Sequence, residues 1–160
     1  RIACVAPLIR RAQKRLLPSR ARPVPRPMLV VDSSVWIDFF NARDTAARVE
    51  LRRLLDDGNT RLVIPDLVLF EVLRGFRYER PLRQARQLLR TLSVEPCGGE
   101  DVALAAAEHY RYLRKRGVTV RRAVDVLIAA FCIENDYLLL HSDSDYDGFA
   151  AHRGLRVWGH

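Results

Sequence analysis

Short apolar runs alternate along the chain with longer stretches whose apolar residues recur every three or four positions. The runs are "MLVVD" (28–32), "RLVIP" (61–65), "SVEPC" (93–97), "YLLLH" (137–141) and "LRVWG" (155–159). At about five residues each they suit strands rather than helices. Between them lie helical patterns. "SSVWIDFF" (33–40) has a serine available as a cap, and 45–58 stops at Gly58. "DLVLFEVLRGFR" (66–77) opens on Asp66 as a plausible cap, and "PLRQARQLLRTL" (81–92) opens on a first-turn proline. Residues 99–117 end in a basic turn and Gly117, the polarity the helix dipole favours. "RAVDVLIAAFCIEND" (122–136) is apolar nearly all round, which predicts a buried helix. Strands alternating with helices predict an α/β fold, a three-layer sandwich with a mostly parallel central sheet and helices on both faces. In such sheets functional groups gather beyond the carboxyl ends of the strands, at a switch point.

Composition narrows the class. The 160 residues favour one domain. No run approaches the ~18 apolar residues of a membrane span. Cys4, Cys97 and Cys132 show no CxxC spacing, which argues against a disulfide framework or a zinc site and fits a reducing cytoplasm. The net charge of +8 resides in residues 1–27, which hold eight cations, no acid and five of the eight prolines. The remaining residues balance. Residues 1–27 therefore read as a basic Pro/Arg-rich tail, and 28–160 as the domain. The tail is open to three readings: a flexible arm for RNA or an acidic partner, an extension foreign to the domain, or a targeting peptide. The second is favoured because a complete pattern begins at Met28.

Candidate chemistry lies in the acids. "DSDYDG" (143–148) matches the opening of a calcium EF-hand loop, but the twelfth position, where a bidentate Glu belongs, is Gly154. The hexapeptide reads instead as a strand end carrying carboxylates. Asp32 closes the first strand, and Asp143 lies just beyond the fourth with Asp145 two residues on. Glu71 and Asp125 interrupt apolar helical runs. Each has a simple explanation of its own: Asp32 as a helix cap, Glu71 paired with Arg74, Asp125 as a cap or paired with Arg121 or Arg122, and Asp143 in a solvated turn. Buried together, they need compensation from arginines or from a shared divalent cation. The remaining acids read as solvated faces and turns. His109 reads as lying among polar neighbours, and His141 as a strand-end residue rather than a ligand.

In series, "VVDSSVWIDFF", "LFEVLRGF", "GVTVRRAVDVLIAA" and "YLLLHSDSDYDGFA" resemble the PIN-domain family, and within it the VapC toxins of VapBC toxin–antitoxin pairs. The resemblance covers nearly all of 28–160. It implies a PIN-like sandwich that cleaves RNA with Mg²⁺ or Mn²⁺. It implies Asp32, Glu71, Asp125 and Asp143 as the catalytic acids, Asp145 as a further, less constant metal-binding acid, and Ser34 as an organiser of the site. It also implies a homodimer inhibited by a VapB-type antitoxin. Asp32 and Asp143 are the expected direct metal ligands and Asp125 a ligand or a holder of metal-bound water, with Glu71 serving a second metal or acting as general base. Ala123 departs from the Ser or Thr common two residues before the third acid.

The body is neutral, so RNA binding cannot rest on net charge; Arg74, Arg77, Arg121, Arg122 and the Arg114–Arg116 run are available to frame a crevice. The pattern does not assign particular RNA-binding residues. Two other classes compete. One is a non-catalytic RNA- or partner-binding module that keeps an acidic pocket. The other is a Mg²⁺ phosphohydrolase with D-x-D after the first strand, which Ser34 at the second position argues against.

Overall fold

The computed structural model describes residues 28–160; the readings of 1–27 lie outside them. Five strands form one sheet: β1 (Met28–Val31), β2 (Arg61–Pro65), β3 (Ser93–Glu95), β4 (Leu138–Leu140) and β5 (Arg156–Val157). Their order is β3-β2-β1-β4-β5, and every pair is parallel. Leu29, Val30 and Val31 are fully buried, as expected of a central strand covered on both faces.

Seven α-helices connect the strands. They are α1 (Ser33–Phe40), α2 (Ala46–Asp57), α3 (Asp66–Arg74), α4 (Glu79–Leu89), α5 (Glu100–Lys115), α6 (Ala123–Glu134) and α7 (Asp147–His152). From β1 the chain winds outward through β2 to β3, then returns to the other side of β1 for β4 and β5. Right-handed crossovers place α1–α4 on one face and α5–α7 on the other. Helix packing agrees: α1 contacts α2 and α3, whereas α5 contacts α6 and α7. The reversal falls between β1 and β4, so their carboxyl ends open a crevice at the switch point.

Local chemistry explains several boundaries. Thr45 caps α2 through the Arg48 N–H at 3.3 Å, and Gly58 ends it in the left-handed region at φ 64°. The elements lie where the hydrophobic rhythm predicts, trimmed by one to three residues at most ends. The "DSDYDG" stretch differs. It is not a strand end but a 3₁₀ turn (Ser144–Tyr146) leading into α7, because Asp143 caps the turn by accepting from the Asp145 N–H at 3.0 Å. Gly148 is needed there: a Cβ would meet Val118 Cγ1 at 2.8 Å.

Several polar residues assigned to solvent are structural. Asp38 is buried and takes Arg43 at 3.3 Å and Thr45 at 3.2 Å. Glu50 accepts from Arg53 and from Trp158 Nε1 at 2.9 Å, tying the C-terminal segment to α2. Glu95 accepts from the Tyr137 hydroxyl. His109 has polar neighbours in Arg153 and Glu134, but it is buried and also meets the Phe149 ring. Trp158, Tyr137, Arg153 and Phe149 are remote in sequence from the residues they meet, so periodicity alone does not reveal those contacts.

Candidate active site

Four elements carry acids to the switch-point crevice. Asp32 follows β1 directly, and its N–H donates to Leu140 O of β4 at 2.9 Å, which locks it to the neighbouring strand. It caps α1: Oδ2 accepts from Ser34 N–H at 2.9 Å and Ser34 Oγ at 2.6 Å. Its other oxygen, Oδ1, accepts from the Tyr146 hydroxyl at 2.8 Å. A carboxylate has about four lone-pair sites, so this orientation leaves acceptor capacity free. The cap reading of Asp32 and a place in the acidic group are thus both satisfied by one residue.

Asp125 stands in the first turn of α6, and Glu71 in the second turn of α3. Asp125 is 2% exposed, and its Oδ2 has no hydrogen-bond partner among the described residues; neither has the buried Glu71 Oε2. Burial, and then the charges of Asp32, Asp143 and Glu71, push the Asp125 carboxyl up to about 7, against the opposing pull of Arg122. The four acids are therefore close enough to feel one another. The Arg122 guanidinium approaches Asp143 Oδ2 at 3.8 Å but is largely exposed. One screened cation does not neutralise four carboxylates. Arg74, the candidate partner of Glu71, lies instead over the Phe70 ring.

Asp145 does different work from the other four. Its Oδ2 accepts from the Arg121 N–H at 2.9 Å, pinning the segment before α6 to the turn after β4. Tyr146 is the residue sequence reasoning missed. It is fully buried, its ring lies 4.9 Å from that of His141, and its phenol keeps its proton because burial and Asp32 raise its pKa. The available signal was an aromatic embedded between acids just after a strand. His141 is buried at the strand end, and burial holds it neutral.

Among the described residues, no three Asp, Glu, His or Cys side chains already close into a metal cage. The acids stand near enough for their charges to act on Asp125 without enclosing a site. That suits a hard divalent ion such as Mg²⁺, which binds one or two carboxylates and keeps several waters. The two unsatisfied buried oxygens supply the missing requirement for a cation, so the donor set fits.

The model of the PIN domain family matches residues 29–152. VapC ribonuclease Mb1587 of Mycobacterium bovis is 34% identical over 133 residues, covering 81% of this chain and 97% of the relative. The chain is a PIN-domain protein of the VapC family. Ribonuclease VapC11 of Mycobacterium tuberculosis matches this VapC protein to the same extent. Among solved structures, VapBC2 from Rickettsia felis, bound to a DNA fragment from its promoter, superposes with a TM-score of 0.66 at 17% identity. The match spans 82% of this chain and 97% of that one. It independently supports the PIN fold. No helix of the described residues of this VapC protein is long and apolar enough to cross a membrane.

Proposed function

We propose that this protein is a metal-dependent endoribonuclease toxin that hydrolyses RNA phosphodiester bonds and is neutralised by a cognate VapB-type antitoxin. The observation that carries the reading is the pair of buried carboxylate oxygens, on Asp125 and Glu71, that no group among the described residues satisfies. VapC ribonucleases as relatives and VapBC complexes as structural neighbours support it.

Mg²⁺, or Mn²⁺ in its place, would be held by Asp32, Asp125 and Asp143, with Asp145 at the margin through its second oxygen. When bound, such an ion polarises the phosphate and offsets developing charge. The protein's own part is orientation and proton transfer. Ser34 and Tyr146 fix both oxygens of Asp32, so the carboxylate needs no reordering on binding. Glu71, on its longer side chain, presents Oε2 as the acceptor for the proton of an attacking water. Water adds to phosphorus as the bond to the leaving ribose oxygen breaks, and that oxygen takes a proton from solvent.

Incubation with total cellular RNA tests this. Discrete fragments are expected with Mg²⁺ or Mn²⁺ and none with EDTA. Intact RNA under every metal condition, from folded metal-binding protein, would favour the non-catalytic module instead.

Tyr146→Phe gives a finer test. The variant loses only the hydroxyl on Asp32, and supporting hydrogen bonds of this kind are worth about 10–100-fold in metal affinity. Calorimetric Mn²⁺ titration should show that loss while the fold persists. Wild-type affinity would remove Tyr146 from the site.

A further inference from the structure

Outside the acidic crevice, the strongest feature is uncompensated positive charge beside a cleft. From Arg111 to Arg122 the sequence "RYLRKRGVTVRR" contains six cations and no acid. Among the described residues, Arg111, Arg114, Lys115, Arg116 and Arg121 form no ion pair. Arg111, Arg114 and Lys115 are exposed and lie three and four residues apart on α5, so they share one face. With Tyr110 they line a cleft of about 280 Å³. Tyr110 also lines a neighbouring cleft of about 380 Å³ between α5 and the start of α6. Ala106, Val126 and Leu127 contribute its apolar walls, and Arg121 and Ala123 line it as well. Ala123 stands two residues before Asp125, and Asp145 holds the Arg121 backbone in place. The Arg121–Arg122 segment borders both features: Arg121 lines the cleft, and the Arg122 guanidinium approaches Asp143 Oδ2 at 3.8 Å.

We propose that the α5–α6 cleft is a nucleotide subsite for single-stranded RNA. A base packs against Tyr110, and the flanking phosphates lie on Arg111, Arg114, Lys115 and Arg121. The inference rests on the ribonuclease reading and adds where the substrate strand runs. Its chemistry is that of single-strand binding, an aromatic platform beside a positive track. The Arg114 guanidinium lies 5.8 Å from the Tyr110 ring centroid, which pairs the charge with the platform. Helix-dipole compensation places cations in a last helical turn. It does not explain Arg121, which lies outside the helix, or an apolar cleft beside the charges. A second copy docking here across a two-fold axis would set this cationic face against itself, so a polyanion is the better occupant.

The test uses the full chain and a labelled single-stranded RNA 12-mer. Binding is read by anisotropy in EDTA across a KCl series, and cleavage separately in Mg²⁺. Arg111→Gln/Arg114→Gln/Lys115→Gln should lower the slope of log affinity against log salt by about 2, since each single-strand phosphate contact contributes ~0.7. Tyr110→Leu should raise Kd by roughly 5- to 100-fold with the slope unchanged, the value of one base–aromatic stack. If Tyr110→Leu fails to fold, the triple variant decides, because its side chains are exposed. Wild-type affinity and slope in both variants, with wild-type cleavage intact, would overturn the subsite and leave the ribonuclease standing. Weaker binding that appears only with loss of dimeric mass would make the cleft a contact between copies and also overturn it. RNA neither bound nor cleaved by the wild type would overturn both readings.

Discussion

Asp125→Asn is expected to abolish RNA cleavage, by about 10²–10⁴-fold, while making the metal-free protein more stable. The two effects have one cause. The carboxyl is buried among three other acids and titrates at about 7, against an ordinary value of 3.8. Below about pH 4 it is protonated in both folded and unfolded chains, and burial imposes no charge penalty. Between about 4 and 7 the unfolded chain releases the proton and the folded chain retains it, so metal-free stability falls as pH rises. Above 7 the full penalty applies, on the order of 2–4 kcal/mol. Asparagine removes it. Melting without metal should therefore show the variant several degrees above wild type at pH 8, and level with it near pH 4. A variant that tracks wild type at every pH would refute the buried-charge account. The same linkage governs the ion, which must displace the Asp125 proton. Wild-type Mn²⁺ affinity should rise with pH up to about 7 and then level off.

Trp36→Ala is expected to cost about 3–5 kcal/mol, a large part of a domain's total stability. Trp36 is fully buried in α1, stacked on Phe40 at 6.1 Å and edge-on to Phe39 at 5.9 Å, and Phe40 meets Phe76 beyond. Truncation leaves a cavity that rigid neighbours cannot fill. Because Asp32 caps α1 and Ser34 lies in its first turn, the loss reaches the acidic group. Trp36→Phe is the informative control. The indole N–H has no partner among the described residues, so its removal relieves an unpaired donor while the ring contacts largely persist. Urea denaturation should place Trp36→Phe within about 1.5 kcal/mol of wild type. Equal losses for the two variants would mean that the ring contacts do not carry the stability.

Both variants sit where reading from sequence works unevenly. Asp125 and Glu71 were conspicuous because an acid inside an apolar helical run has no cheap burial. Asp32 and Asp143 were conspicuous because they follow apolar runs short enough to be strands. Their convergence was not visible, since it depends on β4 returning beside β1 after β2 and β3 have filled the other side. Tyr146 could not be assigned for the same reason: its partner Asp32 is 114 residues away. The helix α7 was missed because six residues, DGFAAH, are too few to show a period. Asp38, Glu50 and His109 looked like surface residues because their type is usually solvated, and only packing supplied Arg43, Trp158 and Arg153 as partners.

Local rhythm by itself determined the strands, the main helices, the parallel α/β class and the four acids worth attention, because each depends on neighbours within a few residues. The tertiary structure alone decided which strands adjoin, that two buried carboxylate oxygens lack partners among the described residues, that Asp145 secures Arg121, and that Tyr110 and Arg121 border one cleft. Those are properties of distance in space, and chain closure over a hundred residues fixes them where periodicity cannot.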